Sequence, residues 1–236
     1  MTRTGQSMAE YYTRRALEYE RVYQKPERQS DLRILVDLLT PAFADQDVLE
    51  IACGTGYWTQ YVAKSARSIL ATDFNPEVIN IARQKDYGAR RVMFLQSDAY
   101  SLANVRPHFT AGFHGFWWSH IPVQEIDTFL QAFHSKLSLI AKVVMIDNAY
   151  VEESSTPLCR KDTYGNTYQI RTLEDRSEHE VLKNFPSPSD LYARLKPFAD
   201  DFALTRLKYY WIAQYRPKEL LNQGLKPKRT PRASEY

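Results

Sequence analysis

The sequence predicts an α/β protein built on a doubly wound sheet of mostly parallel strands, closed by an antiparallel C-terminal hairpin. Three observations carry this reading. Short apolar strands alternate with amphipathic helices from Asp47 to Asn148, the pattern of parallel strands joined by crossover helices. A turn holding Gly54 and Gly56 follows the first of these strands at once. After Asn148 the alternation stops, and strand-like runs separated by turn residues take over.

Residues 7–24 read as an amphipathic helix, with Tyr12, Leu17, Tyr19 and Tyr23 among its apolar positions and Pro26 beyond its end. A second helix is expected over Glu27–Leu39, with Leu32, Leu35, Val36 and Leu39 on one face and Pro41 terminating it. The strands expected next are Asp47–Ala52, Ser68–Thr72, Arg91–Gln96, Ala111–Trp117 and Lys142–Asp147. The intervening helices are Tyr57–Ala66, Pro76–Gln84 and Val123–Leu139, the second opening on a proline at its favoured first turn. In residues 149–186 the runs TYQIRTL and HEVLKNF flank the charged turn EDRSE, which predicts an inserted β-hairpin. A helix at Ser189–Leu195, capped by Ser187 or Ser189, leads to the closing strands Phe202–Leu207 and Tyr209–Tyr215. The polar, proline-bearing stretch 217–236 is expected to lie outside the folded unit.

At 236 residues the chain suits one α/β domain with no internal repeat. Its 31 basic and 28 acidic residues leave a formal charge of +3, too balanced to argue for nucleic acid or a membrane surface. The 16 Tyr, 11 Phe and 4 Trp are enough to fill a core and to line a pocket for a flat or cationic ligand. Two cysteines, Cys53 and Cys159, do not make a disulfide framework. With no apolar leader at the N-terminus, a cytoplasmic location is expected.

The glycine turn is the chemical centre of the sequence. Val48-Leu-Glu50-Ile-Ala52-Cys-Gly54-Thr-Gly56-Tyr-Trp58 delivers a buried strand to a turn where backbone and helix amides face a ligand. A dinucleotide-binding turn continues to a third glycine, but Thr59 stands there. Glu50 would repel a diphosphate and suits a ligand with a cationic amino group. This disfavours an NAD-linked oxidoreductase.

VLEIACGTGYWT resembles the first motif of class I S-adenosylmethionine-dependent methyltransferases, E/D-x-G-x-G-x-G, departing from it only in Ala52 for the first glycine. The resemblance implies a Rossmann-like domain over residues 1–216, with S-adenosylmethionine (SAM) as cofactor and S-adenosylhomocysteine (SAH) as product. It implies a helical lid in residues 1–40, whose Tyr19 and Tyr23 close over the cofactor, and an insert, 149–186, over the acceptor. Glu50, Ala52, Gly54, Gly56 and Trp58 would form the cofactor turn. Asp73, ending the second strand, would take the ribose hydroxyls, with Phe74 flanking the adenine. Asp98 and Ala99 would read the adenine amino group, and Trp117 would complete the cleft.

The acceptor is expected beyond the carboxyl ends of the strands, near Phe116–Pro122 and the insert. His120 is the candidate general base, because an unperturbed imidazole titrates near neutrality. Trp118, Tyr150, Tyr164 and Arg171 are candidate acceptor contacts, and Arg160 or Arg171 suits a carboxylate or phosphate. The motif of enzymes that methylate exocyclic base amines and the paired glutamates of arginine methyltransferases are absent. Asp147-Asn148 resembles part of the metal site of catechol methyltransferases, but no carboxylate stands in Trp118–His120 to complete it. The sequence therefore points to a metal-free small-molecule methyltransferase, monomeric or homodimeric, without nucleic-acid or membrane partners. A non-catalytic SAM-binding regulator and a macromolecule methyltransferase are the alternatives.

Overall fold

The computed structural model describes Tyr11, Arg15 and residues 18–218. Its centre is a seven-stranded sheet in the order β3-β2-β1-β4-β5-β10-β9. The strands are β1 Asp47–Ile51, β2 Ser68–Asp73, β3 Arg91–Gln96, β4 Phe109–Gly115, β5 Leu137–Asn148, β9 Ala199–Arg206 and β10 Tyr210–Pro217. β1 pairs in parallel with β2 on one side and β4 on the other, so the strand order reverses there. The carboxyl ends of β1 and β4 thus open a crevice at the reversal point, where open α/β sheets bind their ligands. β10 lies antiparallel between β5 and β9, as the expected hairpin requires.

Both faces of the sheet are covered, which is why its central strands are apolar throughout. Helices α1 (Gln29–Ala42) and α2 (Thr59–Ala63) cover one face, where Leu35, Leu39 and Val62 meet Val48, Ile69 and Val144. Helices α4 (Ile126–His134) and α5 (Pro188–Leu195) cover the other with Phe129, Phe133, Leu191 and Leu195 against Leu49, Ile51 and Val143. Helix α3 (Pro76–Ala82) starts from Asn75, whose side chain accepts from the Glu77 amide. Side chains alternate across a strand. Val48 and Glu50 therefore share the α1 face of β1, leaving a carboxylate on an otherwise apolar wall.

Several boundaries differ from the sequence reading, most of them by a few residues; four matter for the fold. Tyr19–Gln24 is a 3-10 helix instead of the end of an α-helix, and most of residues 7–17 lies outside the described part. α1 begins only at Gln29, after a short 3-10 turn, and carries Pro41 within its last turn. There the proline's missing amide costs one hydrogen bond near a fraying end, and Phe43 and Ala44 close the turn on Thr40 and Pro41. The helix expected to reach Leu139 stops at His134, because Leu137 pairs with Phe109 as the start of β5. The insert gains a two-residue strand, β6 Arg160–Lys161, beside the expected hairpin of β7 Thr167–Thr172 and β8 Glu178–Leu182. Two residues are too few to show a period. Ser187 caps α5 in a capping box with Asp190. The stretch expected to leave the fold, 217–236, lies outside the described residues beyond Lys218. Among those described, no helix is long and apolar enough to cross a membrane.

Candidate functional site

The chain leaves β1 through a turn in which Ala52, Gly54 and Gly56 all have positive φ, at 54°, 55° and 77°. Asp73 at the end of β2 holds this turn by accepting the Gly54 amide at 2.9 Å through Oδ2, and Oδ1 accepts from the Asn75 amide. A Cβ on Gly56 would collide with the Tyr87 hydroxyl and lie 3.1 Å from the Ala82 side chain, so glycine there lets the turn pack on α3. Gly54 instead faces open space, with no atom within 4 Å of where its Cβ would be. Ala52 takes the left-handed conformation that glycine takes elsewhere, and bears its strain of about 1 kcal/mol.

Glu50 faces the turn, only 1% exposed, and its Oε2 has no hydrogen-bond partner. Burial pushes its carboxyl up to about 8, opposed by the Thr59 hydroxyl and reinforced by the nearby Asp73. An orphaned buried carboxyl beside an open glycine backbone fits a ligand that brings its own positive charge. Glu50, Ala52, Gly54, Trp58 and Tyr23 border one small cleft of about 20 Å³. Asp73, exposed Phe74, Asp98 and Ala99 follow along the neighbouring ends of β2 and β3. Asp98 accepts the Tyr100 amide at 2.9 Å, and Tyr100 meets Trp117 edge-on at 6.0 Å. The side chain of Tyr19 lies outside the described part, whereas Tyr23 is 5% exposed and stacks on Tyr57 at 4.0 Å.

A larger cavity of about 280 Å³ adjoins this cleft, and Tyr23 borders both. Its wall includes Phe116, held at φ 59°, an unusual backbone state for a bulky residue, and packed on Trp58 and Tyr23. Of the acceptor contacts expected from sequence, Arg171 lines this cavity. Trp118 does not: it is 3% exposed and stacked on His114 in the core under α4. Of two successive side chains at the end of β4, Trp117 lies on the Tyr100 side and Trp118 packs inward. Tyr150 sits behind Phe185, ring to ring at 5.2 Å, and Tyr164 is 66% exposed on the loop between β6 and β7. Arg160 is taken by Glu180 at 2.5 Å.

Of the cavity residues that the sequence reading did not name, two are buried cations. Arg28 is 6% exposed and donates from Nη2 to Ser154 at 2.9 Å, but its Nε has no partner. Lys183 is 5% exposed and donates to Ser119 Oγ at 2.6 Å. The signal for Lys183 stood in HEVLKNF, where it shares the inward face of the strand with Val181. Arg28 sat in KPERQS, which reads as an ordinary charged helix start.

His120 also lines the cavity, but not as a base near neutrality. It is 8% exposed, and burial together with the Lys183 charge pushes its pKa well below the usual 6.5. Its Nδ1 lies 2.8 Å from the Leu182 carbonyl, which only accepts, so Nδ1 carries the proton. Its Nε2 lone pair faces Lys183 Nζ at 3.4 Å.

The N-terminal segment is tied across the cofactor turn by Glu20, which accepts from Thr55 Oγ1 at 2.6 Å and from Lys85. The side chain of Glu20 is about a third exposed, so the tie is worth about 1 kcal/mol. Thr55→Val should therefore raise amide hydrogen exchange over residues 19–24 about fivefold while leaving the sheet unchanged. Unchanged exchange there would show that the contact does not hold the segment down.

A strand-reversal crevice whose glycine turn faces a buried, unpartnered carboxyl suits an amino-acid-bearing nucleoside better than a diphosphate. The fold and the site are those of a class I S-adenosylmethionine-dependent methyltransferase domain. Residues 48–138 match the methyltransferase-domain family. The malonyl-[acyl-carrier protein] O-methyltransferase of Pectobacterium atrosepticum is 31% identical over 97 residues, 41% of this chain; the match spans only 36% of that protein. Solved structures of DhpI, in a complex with SAH and in a SAM–HEP complex, are 26% identical with a TM-score of 0.73. They cover 90% and 92% of this chain, and 96% and 100% of theirs. The PH0226 protein of Pyrococcus horikoshii OT3 shares the fold at a TM-score of 0.67 and 18% identity, over 85% of this chain and 99% of its own. Cofactor-bound neighbours and the fit of the turn agree on SAM as cofactor.

Proposed function

We propose that this protein methylates a small acceptor bearing an anionic group, at an oxygen of that group. The observation that carries the reading is the charge of the larger cavity. Among the described residues its wall includes Arg15, Arg21, Lys25, Arg28, Arg171 and Lys183 and no aspartate or glutamate. Glu174 offsets Arg21, Asp147 partly offsets Lys183 from behind and Glu27 acts on Lys25 and Arg28, which leaves these six cations facing three carboxylates. A volume of about 280 Å³ suits a metabolite better than a polymer. The relative named for O-methylation of a malonyl group on acyl-carrier protein is consistent with an acidic acceptor.

Bound SAM supplies an electrophilic methyl group on a sulfonium. Glu50, the Gly54 backbone, Asp73 and Arg28 would hold the cofactor's polar ends, and the other cations of the wall would seat the acceptor. Tyr23, Phe116 and Trp58 keep water from the junction. An anionic oxygen is already a nucleophile, so no group need remove a proton, which accords with the neutral His120. Alignment is then the main contribution of the protein. Methylation cancels a negative charge, so the product loses its hold on the cavity and leaves.

The test is a turnover screen by mass spectrometry with SAM and paired compounds, each a carboxylate, phosphonate or phosphate monoester beside its neutral ester or amide. Methylation confined to the anionic members is expected. Turnover of neutral or cationic members alone, or of RNA or protein with steep loss in salt, would overturn the reading.

A further inference from the structure

We propose that Lys183 is the residue that selects the acceptor's anionic group, and that Ser119, Asp147 and His120 are positioning residues that aim it into the cavity. This rests on the anionic-acceptor reading above and adds which side chain enforces it.

The arrangement is a seam between the insert and the central sheet. The Asn184 amide donates to the Ser119 carbonyl at 2.7 Å, Asn184 Nδ2 to the Ile121 carbonyl at 3.0 Å, and the His120 ring donates to the Leu182 carbonyl. These bonds fix the backbones on both sides of Lys183 Nζ. Asp147, fully buried, is the natural counter-charge, yet its oxygens are already occupied. Oδ2 accepts the Ser119 amide at 2.8 Å; Oδ1 accepts Ser119 Oγ at 2.8 Å and the Asn148 amide at 2.7 Å. Lys183 therefore reaches Oδ1 only at 3.5 Å and is held instead through the intervening Ser119 hydroxyl.

His120 completes the seat. Its tautomer is set by the Leu182 carbonyl, so Nε2 accepts from the ammonium and adds a second neutral partner to Ser119. Two of the ammonium's three donors go to neutral groups and the third reaches Asp147 only at 3.5 Å, so a fixed and loosely countered charge borders the cavity. Burial lowers Lys183 to about 8, with Asp147 opposing and Arg171 and Arg15 adding to the shift. The charge is thus present at neutral pH and absent well above 8. Lys25 across the cavity, also lowered by burial, is the other lysine facing this space.

Sulfate is a suitable probe because its charge is constant across this range. Its affinity for the full-length protein saturated with SAH is measured by calorimetry from pH 6.5 to 9.5. Wild type should bind with constant affinity up to about pH 7.5 and lose up to about tenfold per unit above 8. Lys183→Met should weaken binding tenfold or more and flatten the profile; Lys183→Arg should bind sulfate and keep its affinity at pH 9.5, because guanidinium does not titrate there. Ser119→Ala and His120→Asn should each move the midpoint of the profile, which a merely structural loss would not do. Absence of sulfate binding in folded wild type would remove the anionic-acceptor reading itself. Binding that Lys183→Met leaves unchanged, or a slope that survives in Lys183→Arg, would overturn only the assignment to Lys183. If Lys183→Met does not fold, the Lys183→Arg profile decides alone. Loss of turnover in His120→Asn with an unaltered sulfate profile would return His120 to the reacting atoms and defeat its positioning role.

Discussion

Binding of SAH at pH 7 should expel close to one proton from the protein, and Glu50→Gln should abolish that release. In the empty cleft Glu50 is pushed up to about 8, so at pH 7 its carboxyl carries a proton. The cofactor's cationic amino group reverses the balance by favouring the carboxylate. Affinity should consequently rise with pH up to about 8 and then level off. The sign for stability is opposite in the empty protein. Between the ordinary 4.5 and about 8 the folded state holds a proton that the unfolded chain has lost, so stability falls as pH rises through that window. Asp73 is shifted in the same direction and adds to this slope, whereas the buried His114, His120 and His134, all lowered, oppose it below about 6.5. The slope lost on Glu50→Gln is the part due to Glu50. The variant should also bind SAH about 10- to 100-fold more weakly, the worth of a buried charge-assisted hydrogen bond. Calorimetry in two buffers of different ionisation enthalpy measures the proton directly. 5′-Methylthioadenosine, which lacks the amino acid, should release none. A wild-type protein that binds SAH without proton release would defeat the assignment of Glu50.

Elements that signal themselves through period and punctuation were legible in the chain. The strand Arg91–Gln96 and the turn after Ile51 lie where pattern and glycine place them, because a buried strand and a left-handed turn leave local marks. The residues named for the cofactor cleft are brought together because they lie at the ends of three consecutive strands. The acceptor side was legible only in part, because it is assembled from segments far apart in the chain. Arg28 meets Ser154 and Lys183 meets Ser119 across 126 and 64 positions. No local pattern encodes such pairs. Trp118 shows the limit most directly: alternation says that one of Trp117 and Trp118 points inward but not which. His120 shows another, since its chemistry is set by a carbonyl and an ammonium on the insert and not by its own loop.

Arg28→Met should stabilise the empty protein while weakening its hold on the cofactor. Arginine cannot shed its charge in a protein. Among the described residues no carboxylate pairs with this guanidinium directly; Glu27 reaches it only through the Ser154 hydroxyl. Its flat faces rest over Tyr209 and Tyr210 at 5.3 and 5.8 Å, and its Nε remains unsatisfied beside the cavity. A buried cation in this position costs several kcal/mol, and an apolar side chain of similar shape removes that cost. The gain should be about 1–3 kcal/mol, read as a higher melting temperature. What the charge is for follows from the cavity wall it shares with Tyr23, which also borders the Glu50 cleft. A ligand whose amino group meets Glu50 carries its carboxylate on the same carbon, and Arg28 is the cation on that side. SAH should therefore bind Arg28→Met at least about tenfold more weakly, whereas 5′-methylthioadenosine, without the carboxylate, should bind variant and wild type alike. Equal loss for both ligands would make Arg28 structural. Undiminished SAH affinity with a raised acceptor KM would move the guanidinium to the acceptor instead.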